Sequence, residues 1–316
     1  MGSIRETRER INSVQSTLKI TNAMYMISST KLNNAKRALA STEPYFYALQ
    51  SMLQRVIRHL PDDFKHPYIE SRADQTDRRR AIICVTADKG LAGAYNHNVV
   101  KMTEERLRPS ANDMLFVVGE YGRHYFDARH IPIDGEFHYT AQKPTLSRAR
   151  QIASKMLELF SSHQVDEVYM IYTRMKNSAE FETEMIELLP LVRLNKTLFQ
   201  GIGGIHQEDF SLEPNPKMLL DNIIPDFVSG YIFSALVESY ASEHFARMEA
   251  MDAANKAGQK LVQELSVQYN RQRQGQITQE ITEIVGGSQR QTEERPPRRR
   301  EKPARTVRFR ADGRRA

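Results

Sequence analysis

Apolar and aromatic residues recur at every seventh position from Ile4 through Ile11, Leu18, Tyr25 and Leu32 to Leu39. Three residues beyond each stand Thr7, Val14, Thr21, Ser28, Ala35 and Thr42, which are small and mostly polar. One strong row beside one weak row is the narrow seam of a coiled coil, whereas a core helix carries a wider apolar stripe. At ~1.5 Å per residue the seam from Ile4 to Leu39 is about 54 Å long. A helix of that length needs a partner, or else must lie along its own domain. Its immediate neighbours in sequence supply no partner.

The partner stands at the other end of the chain. From about Pro225 to Val285 there is no further proline, and glycine occurs only at Gly230, Gly258 and Gly275. A helix over that stretch would run roughly 90 Å. Val237, Tyr240, Met251, Ala254, Gly258, Leu261 and Leu265 follow steps of three and four, interrupted by His244, Arg247 and Gln268. Small residues at Ala253, Ala254, Ala257 and Gly258 permit close helix approach. The longer C-terminal helix outruns its partner, so "QRQGQITQEITEIVGG" must project alone or enter another protein. Alone in water such a helix is marginal, and the chain by itself is expected to be poorly stable.

Between the two ends the pattern alternates. "EPYFYALQSMLQRVIRHL" reads as a second helical stretch ending at Pro61. Strands are expected at Arg80–Ala87, at Met114–Gly119 and in "VDEVYMIYTRM", with helices at Tyr95–Arg108, Tyr121–Ala128 and in "PTLSRARQIASKMLELFSS", which has proline at its start. "EFETEMIELLPL" reads as either extended or helical. The fold class is therefore α/β with long helices: an antiparallel coiled coil of the N- and C-terminal helices plus an inserted, Rossmann-like α/β domain. Its expected parts are 1–60, 61–224, 225–287 and a tail at 288–316.

Charge divides unevenly along the chain. Of 316 residues, 45 are Lys or Arg and 39 Asp or Glu. The last thirty hold 11 of the basic residues and 4 of the acidic, which leaves 34 against 35 in the rest. The body is near neutral, and the Pro/Arg-rich tail carries the basic character expected of a disordered segment that meets anionic lipid, RNA, an acidic protein surface or no partner. The single cysteine, Cys84 in "AIICVTA", excludes a disulfide framework and reads as a buried strand thiol. No apolar run approaches the ~18 residues of a membrane span, and "MGSIRETRER" has no apolar signal region.

Catalytic signatures are missing. The sequence has no G-x-x-x-x-G-K-[ST] loop, no G-x-G-x-x-G after a strand, no G-x-S-x-G elbow and no metal-ligand spacing among its nine histidines. "DKGLAGAYN" follows a strand, where a glycine turn can seat an anion on a helix N-terminus, but it reads first as a tight strand-to-helix turn. No catalytic residue, cofactor or metal is expected. The alternatives are a mechanical subunit, a coiled-coil nucleic-acid binder using the basic tail, and a nucleotide-binding enzyme, which the missing phosphate loop weighs against.

Four stretches carry a resemblance: "SIRETRERINSVQSTLKITNAMYMISSTKLNNAKRAL", "ICVTADKGLAGAYNHNVV", "VDEVYMIYTRM" and "SEHFARMEAMDAANKAGQKLVQELSVQYNRQRQGQITQEITEIVGG". They closely resemble the γ subunit of F-type ATP synthases from about Ser3 to Gly287. The resemblance implies a non-catalytic central rotor stalk, one copy per complex. Its coiled coil enters the cylinder of α and β subunits, and its inserted domain sits on the c ring and binds ε. It implies β-subunit contacts at Met24, Lys31 and Arg247, and a catch made by Arg273 and Gln274 with Thr278, Gln279 and Glu280 nearby. Glu213 in "SLEPNPK" is implied to meet the c ring or ε. The resemblance implies a peripheral place at a membrane, and the missing transit peptide and missing redox insert make the cytoplasmic face of a bacterial membrane the expected one. Ala92 and Ala94 stand where the family usually has "GLCGG", and "MISSTKL" replaces its commoner "MVAxxKL". The dithiol insert of chloroplast relatives is absent, and the tail from 288 to 316 extends past the family's usual end.

Overall fold

The computed structural model describes residues 3–61, 63–69, 78–108, 113–176, 180–191 and 215–293, the side chains of 43 and 287–293 excepted. Its elements are α1 (Ile4–Arg58), β1 (Arg80–Val85), α2 (Tyr95–Arg106), β2 (Met114–Val118), α3 (Glu120–Ala128), α4 (Leu146–Ser161), β3 (Glu167–Met175), β4 (Phe181–Leu189) and α5 (Pro216–Glu293). The chain divides into two units, residues 15–259 and residues 1–14 with 260–316.

In the larger unit four strands form one sheet in the order β2-β1-β3-β4. β1 pairs in parallel with β2 (Cys84 opposite Val117) and with β3 (Cys84 opposite Ile171). β4 runs antiparallel to β3, with Tyr172 opposite Glu184, so the small sheet is mixed rather than wholly parallel. The central strands are buried on both faces, which is why "AIICV" is an unbroken apolar run. Ala81, Ile83 and Val85 face a core shared with α1, α4 and α5, while Ile82 and Cys84 face Val99, Val100, Leu115 and Phe126. Burial pushes the Cys84 thiol up to about 12, against a hydroxyl bond from Thr103. After β2 the chain turns sharply at Gly119, whose φ is +94°. A Cβ there would stand 2.3 Å from the carbonyl oxygen of Thr86, so only glycine fits.

α1 and α5 run antiparallel within this unit. Leu18 packs at Gly258, the Thr21 hydroxyl donates to Asn255, and Phe46 packs at Gly230. Every residue of the two N-terminal rows within this unit, from Leu18 to Thr42, is buried or half-buried. The first helix and the expected second stretch are one helix that passes through Pro44. Proline removes a helical donor there. The hydroxyls of Ser41 and Thr42 donate to the Ala38 carbonyl at 2.8 and 3.0 Å beside it. Pro225 likewise lies inside α5 rather than at its start.

The C-terminal seam differs from the expected register. Met251, Asn255 and Gly258 are buried or half-buried, while Ala254 is exposed. His244 and Arg247 do not interrupt the row: they are 3% and 7% exposed and belong to it. In the smaller unit Val262, Leu265, Tyr269 and Gln272 continue at heptad spacing, and Leu261 points outward. Here the Thr7 hydroxyl donates to Gln272 Oε1 at 3.0 Å. The polar members of both seams therefore bond one another instead of breaking the contact.

One smaller expectation changes, and one left open is decided. α4 begins at Leu146, with Thr145 as its cap accepting the Arg148 N–H, so Pro144 precedes the cap instead of opening the helix. "EFETEMIELLPL" is the edge strand β4.

Candidate functional site

Three of the sequence-derived contact residues converge on one cleft in the larger unit. Met24 and Lys31, one face of α1, stand opposite Glu243, His244 and Arg247 on α5. Lys89 from the turn after β1 and Gln142 close a space of about 190 Å³. Met24 and Lys31 are half-buried at its edge.

Arg247 lies at the base of the cleft and is bonded on every side. Its Nη1 donates to Glu243 Oε1 at 2.7 Å and to His244 Nδ1 at 3.1 Å. Nη2 donates to the carbonyls of Gly90 (3.1 Å) and Lys89 (3.2 Å), and Nε to Gly90 at 3.3 Å. The guanidinium thus clamps the "DKGLAGA" turn to α5 through a planar fork that lysine could not reproduce. Burial raises the Glu243 carboxyl, opposed by Arg247. Burial lowers the His244 imidazole to about 3, helped by Arg247 and Lys31. His244 is therefore neutral, accepts at Nδ1, and carries its proton on Nε2, beside the Tyr240 ring at 4.4 Å between centroids.

The glycine turn is secured by side chains from within the chain. Asp88 accepts the backbone N–H groups of Glu120 (3.2 Å) and Ala141 (3.0 Å) and the Thr140 hydroxyl. Asn96 accepts the Ala87 N–H at 2.9 Å. Leu91 and Gly93 take positive φ of 61° and 54°. The arrangement is a braced strand-to-helix turn.

The second group lies on α5 in the smaller unit. Arg273, Gln274, Thr278, Gln279 and Glu280 are all exposed, as is every other described side chain from Arg273 to Gly286. Gln276 bonds Glu280 and Gln279 bonds Glu283, both at 3.0 Å along the helix. Ile277, Ile281, Ile284 and Val285 are 45–71% exposed on this stretch, so its surface is partly apolar. Ile20, Met26 and Ile27 on α1 are exposed too. Glu213 lies outside the described residues, as does the tail from 294.

Sequence reading missed Glu243, His244, Lys89 and Gln142. The i,i+4 spacing of Glu243 and Arg247 was the available signal for the first.

The ATP synthase family model matches residues 3–289. The chain is 36% identical to the ATP synthase gamma chain of Acetivibrio thermocellus over 297 residues, covering 92% of this chain and 99% of that one. It is 33% identical to the sodium-ion-specific gamma chain of Acetobacterium woodii, with 91% and 98% covered. Among solved structures, a chain of the Euglena gracilis mitochondrial ATP synthase (OSCP/F1/c-ring) matches at TM-score 0.62 and 16% identity, covering 97% and 98%. A chain of the Tetrahymena thermophila central stalk and c ring matches at 0.56 and 23%, covering 74% and 99%. Those two structures share the fold.

Proposed function

The chain belongs to the ATP synthase gamma-chain family, and from that premise we propose how its parts divide the work of a central stalk. It is a non-catalytic rotor subunit that acts within the ATP synthase complex. The alternative of a nucleic-acid binder has no support among these relatives.

In the proposed arrangement residues 1–60 and 225–287 form an antiparallel coiled coil inside the cylinder of α and β subunits. The Rossmann-like insert, 61–224, sits on the c ring with Glu213 at that contact, and binds ε. One copy serves each complex, and its rotation makes the catalytic β sites bind, convert and release nucleotide in turn. Met24 and Lys31 face a β subunit from the edge of the cleft, and Arg247 supports that contact through the turn it clamps. Arg273 and Gln274, with Thr278, Gln279 and Glu280, form the catch with a β loop. Charge-assisted hydrogen bonds of ~1.5–3 kcal/mol each define dwell positions and still break on every turn. The coupling ion is H⁺ or Na⁺, set by other subunits. The tail from 288 meets an acidic surface at the end of the cylinder away from the membrane.

Membrane association comes through the c ring, on the cytoplasmic face of a bacterial cell membrane. Among the described residues no helix is long and apolar enough to cross a bilayer.

The observation that carries this reading is the bare stretch from Arg273 to Gly286, a helix with every described side chain exposed. A single helix of that kind is marginal in water and gains stability inside a protein sleeve. The test is to tag an internal loop, recover the complex from native membranes and assay ATPase. Co-recovery of α, β and ε, with activity that falls on Arg273→Ala and Gln274→Ala, is expected. Recovery of the chain alone, or with salt-released RNA, would overturn the reading.

A further inference from the structure

A second cavity in the larger unit, distinct from the Arg247 cleft, has a chemistry that the rotor role does not use. It measures about 210 Å³ and opens between α1, β3 and α5. Phe46 and Tyr47 of α1, Tyr172 of β3, and Phe227 and Tyr231 of α5 give it aromatic walls. Glu238 and Arg174 supply its charged lining. Glu184 on β4 stands behind, accepting the Tyr172 hydroxyl at 2.8 Å.

The charges here do not balance. Arg174 reaches Glu184 at 3.8 Å and its charge also acts on Glu238, so two carboxylates share one guanidinium. Glu238 accepts the Met175 N–H at 3.3 Å and a bond from Ser234. Burial is the largest influence on its carboxyl and raises it to about 7. A half-buried carboxylate beside aromatic faces is a setting that favours a cation, because the ring faces are negative and the carboxylate has only a shared counter-charge.

We propose that this cavity binds a small organic monocation, a protonated amine whose ammonium pairs with Glu238 while its carbon skeleton lies among the aromatic rings. The volume lies below the ~300–1,000 Å³ of drug-sized pockets, which restricts the ligand to a single ring or a short chain. A divalent metal ion does not suit the site: the walls offer rings where such an ion needs six or more oxygens. Among the described residues no group of three or more His, Cys, Asp or Glu is arranged to hold one. An anion meets an excess of carboxylate, and a neutral apolar molecule leaves that excess uncompensated. Arg174 is the internal competitor, since the same guanidinium neighbours both carboxylates.

The probe is phenethylammonium, titrated into the full chain at about pH 8, where Glu238 is ionised, with 2-phenylethanol as the uncharged match. Calorimetry or ligand-observed NMR reads the affinity. Saturable binding of the ammonium is expected, with the alcohol and the Glu238→Gln chain each weaker by about tenfold or more. Arg174→Met should tighten binding, an opposite sign that general loss of structure would not produce. Ser234→Leu fills the cavity while keeping Glu238 and should abolish binding, so it decides the matter if the glutamine variant fails to fold. No saturable binding by the parent chain overturns the proposal. So do equal affinities for the two probes, or undiminished binding by Glu238→Gln or Ser234→Leu.

Discussion

Arg247→Ala would remove the only cation bonded to a buried carboxylate in the described cleft. The guanidinium and the Glu243 side chain are 8% and 6% exposed and stand 2.7 Å apart. Glu243 is then left with the weaker influence of the Lys31 charge, and the carbonyls of Lys89 and Gly90 lose the Arg247 donor as well. Breaking a buried ion pair from one side costs ~3–5 kcal/mol, because the remaining charge stays buried and uncompensated. For a unit of this size that corresponds to a fall in midpoint of about 6–20 °C. The sign of the pH effect follows. Glu243, already raised by burial, rises further without Arg247, so the folded variant binds its proton more tightly than the unfolded chain. Its deficit should therefore shrink as pH falls and grow as pH rises. The double variant Glu243→Gln, Arg247→Met should recover more than half of the loss, since neither charge is then left alone. Thermal unfolding of the full chain, monitored by circular dichroism across pH, measures all of this. A cost under ~1 kcal/mol, typical of an exposed residue, would mean that Arg247 does not compensate a buried Glu243 charge. So would a double variant as unstable as the sum of its parts.

Gly230→Ala should destabilise by ~1–3 kcal/mol, because its Cβ would stand 2.4 Å from the Phe46 ring. Gly258→Ala should stay within about 1 kcal/mol: the 2.6 Å neighbour is the mobile end of Leu18, and alanine gains ~1 kcal/mol in helix propensity. Thermal unfolding distinguishes the two. Glu238, raised by burial to about 7, contributes stability that is complete below its unfolded value and lost as pH rises through about 7. A loss of at most roughly 3 kcal/mol between pH ~5 and ~8, absent in Glu238→Gln, is the expected result in denaturant titrations. Arg273→Ala and Gln274→Ala should leave unfolding of the chain unchanged, since both residues are exposed, while lowering ATPase of the assembled complex.

The N-terminal seam was legible because its residues obey one strict period, and each described side chain at those positions is buried or half-buried. The C-terminal seam was harder to read. Ala254 and Leu261 are apolar and fall near the right spacing, yet Asn255 and Val262 take the inner positions. Composition favoured the wrong register because the inner face is itself polar at Asn255, where the Thr21 hydroxyl bonds. His244 and Arg247 misled for the same reason: a polar residue reads as a break unless its partner is known. β4 carries glutamates on an edge strand, which blurs the alternation that marks a half-buried strand. Of the cleft, Met24, Lys31 and Arg247 came from the resemblance. Lys89 and Gln142 did not, being brought there only by the turn and the loop before α4. The cavity at Glu238 joins residues almost two hundred positions apart, from Phe46 to Glu238, and no local pattern announces it.

Rotation of this chain inside the complex is what a central stalk must show. Its most direct test fixes the α and β subunits of the assembled complex to a surface, attaches a bead to the body of this chain, and supplies ATP. Unidirectional, stepwise rotation is expected, with long pauses or lost torque on Arg273→Ala. ATP hydrolysis at full rate with the bead stationary would contradict it.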